Sequence, residues 1–169
     1  AYRKLAEANI SIDNLDDGAR AYEELFKIDP RDARIAINIS DVYLENSDYR
    51  QAIKWADKAT DIDSKSADAI GQKGKVYYYG WDNYRQNPLT IDDRVVAKLA
   101  YNYFIKAEKK GYRGFSKSSW LQDNEKDILY GKAQWFMADD KVKRSRKIST
   151  YSSDYDWVTE SLTAEDGWK

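Results

Sequence analysis

Neither cysteine nor histidine occurs anywhere in the chain, and its 169 residues include one methionine and two prolines. Without cysteine there is no disulfide, no thiol nucleophile and no thiolate metal site. Without histidine the commonest general base and the commonest metal ligand are both missing. No cofactor and no metal ion is expected. Carboxylate chemistry survives in principle, since the 29 acidic residues include the adjacent pairs Asp16–Asp17, Asp92–Asp93 and Asp139–Asp140. These pairs fall where turns or helix starts are expected, positions that favour negative charge, so each is read as structural. A catalytic pair would need burial in a cleft with shifted acidity. No catalytic residue is assigned, and the chain is expected not to be an enzyme.

Long apolar runs are missing as well. No stretch approaches the ~20 residues of a membrane span, and no signal peptide is visible. The 28 basic and 29 acidic residues nearly cancel, so no global field draws the chain to nucleic acid or to an anionic membrane. A mean hydropathy of -0.84 describes a water-compatible chain, and 42% hydrophobic residues are enough to bury a core. The lack of cysteine and the abundance of Tyr, Asn, Asp and Ser point to an extracytoplasmic bacterial protein with its leader removed, the cytoplasm being the other compartment.

What the chain does have is a repeat. Asp32 to Ser66 reads as one helix, turn, helix unit. Ala36, Ile39, Ser40 and Tyr43 fall three or four apart on one helical face. Asn46, Ser47 and Asp48 interrupt with turn and capping residues, and Tyr49, Ala52, Ile53, Ala56 and Ala59 restart the 3.6-residue period. Small residues at Ser40, Ala52, Ala56 and Ala59 let two antiparallel helices approach closely. Moving the frame by 34 residues recovers the pattern on both sides. Leu5, Ile39 and Lys73 share a phase, as do the small residues Ala6, Ser40 and Gly74; Tyr22 corresponds to Ala56, Leu25 to Ala59 and Ile28 to Ile62. Lys73 is the one poor match.

This period, with a W-x2-L-G-x2-Y, A-x3-F, P skeleton, resembles the tetratricopeptide repeat. The third copy matches it at Gly74, Tyr77, Ala100, Phe104 and Ala107 once 14 additional residues are allowed between Tyr77 and Ala100. The middle copy lacks the tryptophan and the proline. The resemblance implies an all-α fold, an α-α superhelix of the right-handed solenoid type. Its repeats would span 1–31, 32–66 and 67–111, with an insertion near 80–93 and a helical cap and tail over 112–169. Because Ala1 falls inside the first helix of the first repeat, the chain reads as a fragment of a longer protein.

In this family the first helix of each hairpin lines a concave groove that takes up an extended peptide or a partner helix. Alignment carries the groove onto Arg3, Glu7 and Ile10, then Arg34, Ile37, Asn38, Asp41 and Glu45, then Asp68, Gln72, Lys75, Tyr78 and Tyr79. The implied partner is a protein or peptide, with no nucleic acid and no membrane span; the exposed first helix is also open to pairing with a second copy of the chain. The family's carboxylate clamp is not expected. Arg3 and Asn38 match its phase, but Glu7 and Asp68 place acid where it needs asparagine and lysine.

In the third unit Tyr77, Tyr78, Tyr79, Trp81 and Tyr84 crowd together. Tyr77 and Trp81, at i and i+4, are expected to pack with Tyr84, while Tyr78 and Tyr79 are candidates for an aromatic binding platform. Thr90 and Asp93 read as a capping box for a helix ending at Lys110, Gly111 as its stop, and Ser119 with Gln122 as a second box. Leu121, Ile128, Leu129, Ala133 and Phe136 form a helical stripe, read as a seventh helix closing the array, and Tyr155 to Leu162 as a short docked helix. Lys141 to Lys147 holds five basic residues in seven, a pattern open to a nuclear address or an acidic-partner contact but read as a solvated helix end or turn neutralised by Asp139, Asp140, Asp154 and Asp156.

The resulting expectation is a non-catalytic adaptor or scaffold. Two other classes stay open. One is a glycan-binding module, favoured if Trp81, Tyr84 and Trp120 are exposed together in a shallow cleft; the other is a regulatory or anchoring domain of a larger enzyme.

Overall fold

Capping residues recur along the chain and set where its helices begin. A computed structural model describes residues 2–11 and 14–168, apart from the side chains of Ile10 and Ser11; Ala1 lies outside the described residues. Asn14 caps helix α2 (Leu15–Ile28) and Asp48 caps α4 (Tyr49–Ile62), each side chain accepting a backbone N–H two positions into the helix. Ser66 does the same for α5 (Ala67–Tyr84), and Asp32 caps α3 (Ala33–Glu45) one position earlier, through the Arg34 N–H. Both pairs of caps are 34 residues apart. Capping satisfies N–H groups that a helix start leaves orphaned.

With α1 (Tyr2–Ser11) and α6 (Ile91–Glu108), these elements form three antiparallel hairpins, α1–α2, α3–α4 and α5–α6, each packed on the next. The fold is all-α apart from a two-residue antiparallel pairing of β1 (Lys147–Ile148) with β2 (Leu162–Thr163). Small buried residues set the close approaches. Ser40 donates its hydroxyl to the Ala52 carbonyl at 2.7 Å, and a Cβ built at Gly74 would meet the Phe104 ring at 2.8 Å. Leu5 departs from the register: it shares the phase of fully buried Ile39 yet is exposed, because no element of the described residues covers that side of α1.

The additional residues of the third hairpin lengthen both helices, to 18 residues each, as well as the connecting loop. Thr90 and Asp93 form the expected capping box, and Gly111 follows the end of α6 at φ +91°, a conformation that favours glycine. The second expected box does not form: α7 (Ser118–Asp123) starts after Lys117 without a side-chain cap, which places Ser119 inside the first turn, and the neighbouring Ser118 donates to Glu108.

The single seventh helix is also replaced. Residues 118–145 break into α7, α8 (Glu125–Ile128), α9 (Lys132–Met137) and α10 (Asp140–Ser145). Leu121, Ile128 and Leu129 are buried as the stripe requires, but Ala133 and Phe136 face solvent. Tyr130 and Gly131 interrupt the period: the Tyr130 N–H turns to the Arg94 carbonyl of α6. The docked helix expected at Tyr155–Leu162 is instead a 3-10 turn (Ser153–Tyr155) followed by an extended strap into β2. The strap crosses α4, α5 and α6. Its Trp157 ring packs on Tyr49 and Tyr77 and fills the space over Gly80.

Candidate functional site

On α3, the expected groove positions form one stripe. Arg34, the adjacent Ile37 and Asn38, Asp41 and Glu45 follow one another by about a helical turn and remain exposed or half-buried, while Ile35, Ala36, Ile39, Ser40, Val42 and Leu44 on the other sides are buried. On α5 the equivalent stripe is Asp68, Gln72, Lys75 and Tyr79. Asp68 and Tyr79 are exposed and Lys75 half-buried, but Gln72 is buried. On α1, Arg3 and Glu7 are exposed; the side chain of Ile10 lies outside the described residues.

The two stripes are joined. Lys75 pairs with Asp41 at 2.7 Å, and the Gln72 amide nitrogen donates to Asp41 at 2.9 Å and to the Ser40 hydroxyl at 3.0 Å. Asp41 and Lys75 occupy the same place in successive hairpins, so residues 34 apart meet directly, as a stacked array with this repeat length requires. The fold is tetratricopeptide-like. No family profile and no curated protein sequence matches the chain. Among solved structures, it is similar to one described as the "TPR2B-domain:pHsp70-complex of yeast Sti1", at 19% identity and a TM-score of 0.43, over 64% of this chain and 94% of that one.

The chain itself covers part of this tetratricopeptide-like inner face. The segment after α6 folds back on α5: Phe115 stacks on Tyr79 at 5.0 Å between centroids and packs against Tyr78 at 5.7 Å, while Tyr112 lies against Gly71. Burial, followed by the negative charges of Asp41, Asp68 and Glu108, pushes the Tyr112 hydroxyl up to about 12. Tyr78 is half-buried among Trp81, Phe104 and Phe115, so Tyr79 is the member of the pair that offers a ring to solvent. Sequence reasoning missed Tyr112 and Phe115, which precede any recognisable periodicity. A signal for the Asp41–Lys75 link was present: opposite charges one repeat apart.

Other side chains singled out by sequence have structural duties. Asp93 is fully buried and accepts hydrogen bonds from the Thr90 and Gln86 N–H groups, the Thr90 hydroxyl and the Tyr155 hydroxyl. Asp92 accepts the backbone N–H groups of Tyr151 and Ser152, clipping the strap to α6. Asp139 caps α10, and Asp17 bonds Asn14 and Arg20. The aromatic trio is not exposed together: Trp81 is fully buried with the Arg85 guanidinium over its ring, Tyr84 is half-buried and Trp120 is exposed. Depressions of about 470 Å³ beside Arg50, Trp55 and Trp157, and of about 510 Å³ beside Lys98, Tyr130 and Trp168, lie away from the inner face.

Lys73, the poor match of the repeat, anchors the strap. Its ammonium pairs with Asp57 at 2.7 Å and Glu160 at 3.3 Å and lies 4.5 Å from the Tyr103 ring centroid. Glu160 also accepts the hydroxyls of Tyr77 and, at 2.7 Å, Tyr103. Burial acts to lower the pKa of the Lys73 ammonium, but the Asp57 and Tyr103 hydrogen bonds and the Glu160 charge outweigh it and hold it above its usual value.

Proposed function

We propose that the chain is a non-enzymatic adaptor that binds a segment of another protein along the inner face of α1, α3 and α5. The observation that carries this reading is the solvent-open stripe on α3 and its continuation onto Lys75 and Tyr79, where polar and charged side chains line one face of helices otherwise buried in packing. A helix face built for packing alone would be apolar there, and one built for solvation alone would not be cross-linked to the next repeat. An open, shallow face with cross-linked charges suits an extended segment carrying both charges or aromatic and polar side chains. Arg3, Glu7, Arg34, Ile37, Asn38, Asp41, Glu45, Lys75 and Tyr79 are the proposed contacts, and buried Gln72 holds Asp41 in place behind them. Tyr78 supports Tyr79 from below.

The test is affinity capture from the source organism comparing the parent with an inner-face variant, Asn38→Ala, Lys75→Glu and Tyr79→Ser combined, and with an outer-face control, Lys54→Glu. All three should have equal helicity at the capture temperature, with a lower melting temperature for the inner-face variant, in which Lys75→Glu faces Asp41. Recovery of a defined protein by the parent and the control, with loss in the inner-face variant, is expected. Equal recovery by all three would sink the groove reading.

A further inference from the structure

We propose that the α9–α10 corner is a peripheral docking site for an anionic lipid surface. Phe136 and Met137 are adjacent and 77% and 81% exposed, an unusual cost for two large apolar side chains at the end of a short helix. Their orientation is fixed, because the preceding Trp135 is buried against Trp168 at 6.2 Å between centroids. The corner is also basic: residues 132–147 contain six basic residues against two acidic ones.

The basic and apolar parts are held together as one patch. The Lys143 ammonium donates to the Phe136 carbonyl at 2.8 Å and lies 5.8 Å from the Phe136 ring centroid. Arg146 ends α10 at φ 57° and is tied to the Ala164 carbonyl and Asp166, and Lys147 pairs with Thr163. This keeps α10 folded beside α9. The acids expected to neutralise the run do not pair with it: Asp156 pairs with Arg50 and Asp139 caps α10. Among the described residues, Lys132, Lys141 and Arg144 have no ion-pair partner.

Neither of the depressions described above is lined by Phe136 or Met137. Two apolar side chains standing out of the surface beside basic residues match the boundary between anionic headgroups and acyl chains, where the Phe136 ring and the Met137 thioether insert and the charges stay at headgroup level.

Because the chain has no cysteine, Met137→Cys gives one labelling position for an environment-sensitive fluorophore. Co-sedimentation with phosphatidylglycerol–phosphatidylcholine vesicles at low salt is expected to exceed that with phosphatidylcholine alone by at least about tenfold. The label should shift to the blue on binding. Lys141→Glu with Arg144→Glu, and separately Phe136→Ser with Met137→Ser, should each reduce partitioning about tenfold with the far-ultraviolet circular dichroism unchanged. Three results overturn the proposal: the parent stays in solution with anionic vesicles, the Phe136/Met137 variant sediments as well as the parent, or the bound label keeps its aqueous spectrum. Capture of a glutamate-rich peptide by this patch without vesicle binding would replace the lipid with an acidic protein.

Discussion

Lys73 stands where Leu5 and Ile39 place aliphatic side chains, and its pairing with Asp57 and Glu160 turns a packing position into a tether. Lys73→Ala is expected to cost about 1–3 kcal/mol in urea denaturation, below the usual cost of breaking a fully buried pair because both carboxylates keep contact with water. Around the same tether the Tyr103 hydroxyl is pushed up to about 12, chiefly by burial, and Tyr43 and Tyr112 behave alike. In each case the folded chain holds its proton more tightly than the unfolded chain, whose tyrosines titrate near 10. This contribution to stability is therefore complete below about pH 10 and is lost as pH rises to about 12. Denaturation midpoints measured from pH 9 to 12 should fall over that window, and Tyr103→Phe should make the fall shallower.

Among the elements, the strap carries the most specific packing. Trp157 lies over Gly80, where a Cβ would run into its ring, and between Tyr49 and Tyr77. Gly80→Ala should cost about 1–3 kcal/mol through overpacking, and Trp157→Ala about 3–5 kcal/mol through the void left, both read from chemical denaturation. The helix caps are cheaper and more regular: Asp48→Ala, which removes the bond to the Gln51 N–H at 3.0 Å, should cost about 1 kcal/mol. Caps were legible in the sequence because they depend on a residue and the next three positions. The fate of 118–137 was not. Its apolar spacing suited a continuous helix, but the Tyr130 N–H found a partner on α6, a competition that no local pattern records.

Across the molecule, the buried apolar residues divide into two main clusters. One joins the first two hairpins through Ala6, Phe26 and Ile39 and reaches Ala69 at the start of α5; the other runs from Leu44 through Trp81 and Phe104 to Trp168. The C-terminal segment thus shares its core with the third hairpin. Of residues 2–9 of α1, Ala6 alone is buried and most of the rest are exposed, so hydrogen exchange should show α1 as the least protected of the six long helices and α5 and α6 as the most protected.

Periodicity, small-residue register and capping chemistry by themselves determined three helical hairpins and their 34-residue spacing, because helix period and caps are local properties; the candidate inner stripe came from the resemblance to the tetratricopeptide repeat. Tertiary structure alone decided that Tyr112 and Phe115 close over α5, that Glu160 finds Lys73 from 87 residues away, and that Phe136 and Met137 face outwards. Those outcomes depend on which distant surfaces remain unfilled once the hairpins have stacked, and spacing along the chain carries no record of that.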